Sequence, residues 1–227
     1  MLDQAIHKKN LVDILKDIYA DQAIAPFLGF KGGTAAYLFY GLNRFSVDLD
    51  FNLLDSQKEE IVFEQIKNIV SFYGQIKEVR KKHYTLFFLL SYQAGLQNIK
   101  IEISRRTSIA RYENLLYLGI PMKVMVKEDM AAHKLLAMLD RLDRCNRDIY
   151  DVWFFLKNNW LINKQIIEQI SGKKFELFIE ECVAALEKTA DSDILSGMGE
   201  LLNNKQKDWV RANLRKDAIF QLKLLIS

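Results

Sequence analysis

Cysteine is nearly missing from this chain. Cys145 and Cys182 are its only two among 227 residues, so the disulfide framework of a small secreted domain is excluded and a reducing, cytoplasmic setting is expected. Histidine is almost as scarce. His7, His83 and His133 lie far apart, without the ligand spacing of a zinc site. No stretch approaches the roughly 20 apolar residues of a membrane span, and the amphipathic start MLDQAIHKKNLVDIL lacks the regions of a signal peptide. Neither sign of charge dominates: 32 Lys and Arg face 29 Asp and Glu, for a net charge of +3 and a sequence pI near 8.7. That balance permits nucleic-acid contact without demanding it. Also missing are the G-x-x-x-x-G-K-[ST] pattern of a P-loop and any G-x-G-x-x-G, as well as internal repeats and low-complexity tracts.

Half the residues are apolar and 27% charged, the balance of an ordinary globular protein. The length suits one large or two small domains. The texture changes at Lys127. Both prolines, Pro26 and Pro121, precede it, and so does every strand signal. Before it, the pattern predicts helices over 3–20, 33–40 and 56–73 and strands over 27–30, 47–54, 75–80, 83–92, 98–104 and 121–126. Ser56 with Glu59 three places on has the spacing of a capping box. After it come helical segments near 127–142, 146–158, 162–170, 173–189, 192–202 and 207–225. The expected architecture is an α/β domain with a mixed sheet and helices over 1–126, then an all-helical bundle over 127–227.

The most informative stretch is GGTAAYLFYGLNRFSVDLD, from Gly32 to Asp50. Side chains alternate faces along a strand, so Asp48, Asp50 and Asn52 share one face while Val47, Leu49, Phe51 and Leu53 share the other. The apolar face suits a core. On the acidic face, two carboxylates roughly 6–7 Å apart repel by about 2–3 kcal/mol at an effective dielectric near 20. A divalent cation reverses that sign. Magnesium is held through one or two carboxylates plus substrate phosphates, and a helix opening at Gly32, Gly33 and Thr34 offers N–H groups to those phosphates. The alternative is an exposed edge strand with two solubilising acids, which predicts polar residues mixed through a strand that is instead mostly apolar. The stretch therefore reads as a metal–nucleotide site, with Mg2+ or Mn2+ as the expected ion. A third carboxylate on a neighbouring strand would complete such a site. In NIKIEIS, residues 98–104, Ile99, Ile101 and Ile103 alternate with Lys100, Glu102 and Ser104, which puts Glu102 on the polar face. The competing reading of Glu102 is a solvent-facing acid paired with Lys100 or Arg105.

The phrase KGGTAAYLFYGLNRFSVDLDF resembles the first motif of the AbiEii-type nucleotidyltransferases, the toxin half of bacterial abortive-infection toxin–antitoxin systems. KIEIS at 100–104 and KEDMAAHKLLAMLDRLDRCNRDIYDVWFF at 127–155 extend the resemblance over about residues 25–157. It implies a nucleotidyltransferase-like fold in which Asp48, Asp50 and Glu102 are the catalytic and metal-binding acids. By the same resemblance Lys31, Gly32, Gly33, Thr34, Arg44 and Ser46 bind the nucleotide, joined by Lys134, Arg141, Asp148 and Asp151 from the later motifs. It further implies an NTP substrate, tRNA or another RNA as acceptor, and a cognate antitoxin. A transferase acting on a small-molecule or protein hydroxyl is the alternative enzyme, and a non-catalytic nucleotide- or antitoxin-binding module the alternative of another class.

Four further features of the helical half bear on function or on the core. Lys134 has only apolar neighbours three and four residues away: Met130, Ala131, Ala137 and Met138. A half-buried ammonium needs a counter-charge, for which a nucleotide phosphate is expected; snorkelling to water is the competing account. Asp148 and Asp151 share a helix face and are read as orienting Lys134 or Arg141, or as contacting the nucleotide. The tract Trp153–Phe155 reads as core. Finally, Arg211 and Arg215, four residues apart on one helix, are the expected contacts for an RNA backbone.

Overall fold

The computed structural model describes residues 2–142, 144–189 and 194–226. They form two compact units, Met1–Met125 and Val126–Ser227.

The first unit is a seven-stranded mixed sheet with three helices. Apolar residues at helical spacing form α1 (Gln4–Ala20), capped at its start by the Asp3 carboxylate. A turn of 3-10 helix at Ala25–Phe27 leads into β1 (Leu28–Lys31), which passes straight into α2 (Gly32–Phe39). After β2 (Asp48–Leu53) comes α3 (Glu59–Ser71). The turn before α3 is capped by Asp55, which accepts from the Gln57 amide at 2.9 Å, and not by Ser56 as its spacing with Glu59 suggests. The remaining strands are β3 (Gln75–Lys82), β4 (Thr85–Ser91), β5 (Ile99–Ser104), β6 (Tyr112–Tyr117) and β7 (Ile120–Met125). Their order is β3-β4-β5-β2-β1-β7-β6, so β2, read from sequence as the functional strand, lies in the middle. It runs parallel to β5 and antiparallel to β1. The sheet's apolar face carries Phe30, Leu49, Phe51, Ile101 and Ile103, all fully buried, together with Leu11, Ile14, Leu15 and Ile18 of α1. The rings of Phe30 and Phe51 lie 5.2 Å apart in this core.

In the second unit the described residues form five α-helices: α4 (Lys127–Asp140), α5 (Arg147–Lys157), α6 (Lys164–Ser171), α7 (Phe175–Lys188) and α8 (Asn204–Lys223). Gly172, with φ +70°, ends α6 in the left-handed conformation, and a capping box between Asn203 and Gln206 starts α8. The helix expected over 192–202 falls partly outside the described residues. Its described part holds only turns and a 3-10 segment at Gly199–Leu201. Phe154 and Phe155 are core, as their pattern implies, whereas Trp153 is half-buried, donating through Nε1 to Asp217 at 2.8 Å and packing on Trp209. Both cysteines are free thiols; burial pushes that of Cys182 up to about 12. No described helix is long and apolar enough to cross a membrane.

Candidate active site

The parallel pairing of β2 and β5 sets the site. It places Asp50 opposite Glu102 and Asp48 opposite Lys100. Because residues two apart on a strand share a face, these four side chains form one polar patch on two neighbouring strands. The Lys100 ammonium sits 3.4 Å from Asp48 Oδ2 and 3.3 Å from Glu102 Oε2. Burial works against its charge, but Asp48, Glu102 and Asp50 outweigh burial and raise the Lys100 pKa above its ordinary value. Glu102 thus does pair with Lys100, as its competing reading held, yet the lysine joins it to Asp48 instead of removing it from the acidic set. Arg105 goes elsewhere, to Glu59 at 2.8 Å.

The glycine turn follows from the same geometry. Gly32 has φ +80°, and a Cβ there would lie 2.6 Å from Asp50 Oδ2. Only glycine allows both the left-handed backbone and the approach of this carboxylate to the start of α2. At Gly33 a Cβ would meet the Arg44 guanidinium at 2.8 Å and Ser46 Oγ at 3.0 Å. Arg44 is buried and donates from Nη1 to the Phe45 carbonyl at 2.8 Å. Thr34 is buried too, its hydroxyl directed at Ser46 Oγ, 2.9 Å away, and at the Asp48 carbonyl. Thr34, Arg44 and Ser46, nucleotide contacts by the resemblance, are buried beside the glycine turn. Lys31 ends β1 opposite Asp50 and gives α2 no side-chain cap, leaving a start of the kind that receives anions through backbone N–H groups.

Two contributors were not legible as such in the sequence. His7 of α1 is buried, with Nε2 donating to the Val47 carbonyl and Nδ1 accepting from the Tyr92 hydroxyl, both at 2.9 Å. Burial lowers its pKa below the ordinary 6.5, against the opposing pull of the backbone hydrogen bonds. A neutral imidazole thus pins the chain one residue before Asp48. Asn52, the third residue on the acidic face, is buried and donates to the Tyr112 hydroxyl at 2.6 Å. A Cβ on Gly29 would overlap the Tyr112 ring at 2.3 Å, so this glycine admits the tyrosine. Asn52 is engaged inside the fold. Lys100 did have a sequence signal, since alternation puts it on the face of Glu102; His7 had none.

The donor chemistry fits a hard divalent cation. One cationic nitrogen already draws together carboxylate oxygens from two strands, and oxygen ligands suit Mg2+ or Mn2+. Among the described residues no three His, Cys, Asp or Glu side chains converge as a complete ligand cluster. A partial shell is the pattern of magnesium sites that substrate phosphates complete.

The second unit holds its own charge cluster. Lys134 Nζ is 2.9 Å from Asp148 Oδ1 and 3.0 Å from Asp151 Oδ2. Its side chain is 14% exposed, against 3% and 0% for its partners. Arg141 brings a charge 2.7 Å from Asp148 Oδ2 without the alignment of a hydrogen bond to that oxygen. A counter-charge of the kind that the apolar surroundings of Lys134 require is thus supplied by the two aspartates of α5. The RNA contacts expected on α8 also have partners within the protein: Arg211 pairs with Asp208 at 3.0 Å, and Arg215 donates to the Leu186 carbonyl at 3.4 Å.

No curated protein matches the sequence at a significant level. Among solved structures, JHP933 from Helicobacter pylori superimposes with a TM-score of 0.60 at 20% identity, over 100% of this chain and 94% of that one. A second H. pylori protein, described as a candidate nucleotidyltransferase, does so with a TM-score of 0.56 at 21% identity, over 99% of both chains. These likenesses establish a shared fold. The sequence itself fits the model of the nucleotidyl transferase AbiEii toxins of type IV toxin–antitoxin systems from residue 13 to residue 216. A match over most of the chain assigns membership, and the protein is a nucleotidyltransferase of the AbiEii toxin family.

Proposed function

We propose that the protein moves a nucleoside monophosphate from an NTP to a hydroxyl of RNA, with tRNA the leading acceptor, in a reaction that depends on Mg2+ or Mn2+. The observation that carries this reading is the register that puts Asp48, Asp50 and Glu102 on one sheet face beside the uncapped, glycine-led start of α2. Asp48, Asp50 and Glu102 would hold the metal, which supplies charge to offset what develops on the triphosphate. The N–H groups at Gly32 and Gly33 receive phosphate oxygens, a contact that a helix start favours. The acceptor oxygen forms a bond to the α-phosphorus as the bond from that phosphorus to the pyrophosphate oxygen breaks, and pyrophosphate leaves. Glu102, one-third exposed, is the carboxylate best placed to take the acceptor proton. His7 and Thr34 hold the backbone at Val47 and Asp48, which keeps the acids in place while charge shifts.

An RNA acceptor is supported by the mildly basic chain and by the exposed outer strand β3, which carries Lys77, Arg80, Lys81 and Lys82. Family membership supports a cognate antitoxin that opposes the resulting growth arrest. The test is to incubate the purified chain with each labelled NTP, Mg2+ or Mn2+, and total RNA. Label in one RNA class upholds the reading. Label in protein or in small molecules moves the acceptor to those hydroxyls, and no transfer with any NTP makes the chain a binding module.

A further inference from the structure

The lysine between the acids has a task of its own. We infer that Lys100 is a built-in counter-cation, a positioning residue that holds Asp48 and Glu102 in ligating orientation before metal arrives and gives up their oxygens when it does. The inference rests on the metal-dependent reading above and goes beyond it in assigning a role to a residue that is not itself a ligand.

Three observations carry it. The register leaves Lys100 little choice of neighbour, since Asp48 is its cross-strand partner and Glu102 is next on its own face. Its ammonium lies almost equally far from the two carboxylates, at 3.4 and 3.3 Å. These are looser contacts than the 2.9 and 3.0 Å of the Lys134 pairs, and all three side chains are partly exposed. The lysine therefore neutralises the acids without locking them. A lysine suits this task better than an arginine. Its point charge on a flexible stem can withdraw, whereas a planar guanidinium would grip a carboxylate through two parallel bonds. A divalent ion on the same carboxylates repels the ammonium, so metal entry drives Lys100 towards solvent or towards the phosphates that enter with the metal.

The test uses the full chain without nucleotide. Binding of Mg2+ and Mn2+ is measured by calorimetry, and thermal midpoints are taken in chelator and in saturating Mg2+. Lys100→Met should bind metal about threefold to tenfold more tightly than wild type, because no ammonium has to leave, a change of the size of a half-exposed ion pair. In chelator its midpoint should fall by about 2–4 °C, and saturating Mg2+ should remove that deficit. Lys100→Arg, which keeps the charge, should bind metal no more tightly than wild type and should stay folded if the methionine variant does not. Wild type that binds metal while Lys100→Met binds it equally or more weakly would overturn this inference alone, as would Lys100→Arg binding more tightly than wild type. The binding measurements are repeated with a non-hydrolysable NTP analogue, which supplies the phosphate ligands, and wild type that binds neither metal in either condition would overturn the metal-dependent reading and this inference with it.

Discussion

Each unit gathers carboxylates around a lysine, and the two clusters differ in how completely they close. In the sheet unit Lys100 stands 3.3–3.4 Å from Glu102 and Asp48, with about a third of its side chain exposed. In the helical unit Lys134 stands 2.9–3.0 Å from Asp148 and Asp151, which are almost wholly buried. The same residue types therefore do different work. A buried pair of short contacts cannot exchange partners without leaving a charge stranded in the interior, which makes it part of the architecture. A loose and partly wet set can trade its ammonium for another cation at little cost, which suits it to chemistry.

The largest effect should come from breaking the open cluster. Asp48→Asn or Asp50→Asn is expected to lower nucleotide transfer by roughly a thousandfold, about 4 kcal/mol of transition-state stabilisation. The thermal midpoint should hold or rise for Asp50→Asn, which relieves repulsion among the acids, and should fall by at most about 2–4 °C for Asp48→Asn, which also loses its contact with Lys100. Transfer assays beside thermal melts check both, and an active Asp50→Asn enzyme would place the chemistry elsewhere.

The closed cluster should answer in the opposite way. Lys134→Met takes the shared ammonium from Asp148 and Asp151, with Arg141 still beside Asp148, and is expected to cost about 3 kcal/mol of stability, the lower end for breaking a buried pair, read from the denaturant midpoint at constant slope. A variant as stable as wild type would mean that the aspartates find other compensation, and the contrast between the clusters would fail.

The smallest effect belongs to His7. Its folded pKa is depressed by burial, so its contribution to stability is complete above about 6.5 and is lost as the pH falls from there through the folded value. Wild type should lose stability between pH 7 and pH 5 with a slope of at most about 1.4 kcal/mol per pH unit from this group, and His7→Gln should flatten that slope. Hydrogen exchange should show the loss at residues 45–52, next to the carbonyl that His7 holds, and not within α4 or α5. A pH profile that His7→Gln leaves unchanged would remove the histidine from this account.

Much of the sheet unit could be read from the chain because period-2 alternation is a local signal. β2, β5 and the β3–β4 pair all lie where that pattern puts them. β6 was not legible. Tyr112–Tyr117 mixes polar and apolar residues without a buried face and leaves Leu116 exposed, so no periodicity marks an edge strand that only its pairing with β7 creates. Over 194–202, the described part of the helix expected at 192–202, turns and a 3-10 segment stand instead, for the complementary reason. Apolar spacing such as Ile194, Met198 and Leu201 also suits turns that bury those same side chains.

By itself the sequence determined which acids share a face, because strand geometry leaves no freedom once alternation is set. It likewise determined that the glycines precede those acids and that Lys134 lies in an apolar stripe. The tertiary structure decided what each charge meets. The parallel register of β2 with β5 brought Asp48 to Lys100 and Asp50 to Glu102, and Gly32 was needed because Asp50 lies against it. The packing of α4 with α5 gave Lys134 two aspartates. The division has a physical reason. Face and period are properties of one backbone segment, whereas a counter-charge sits on another segment, and only folding brings the two together.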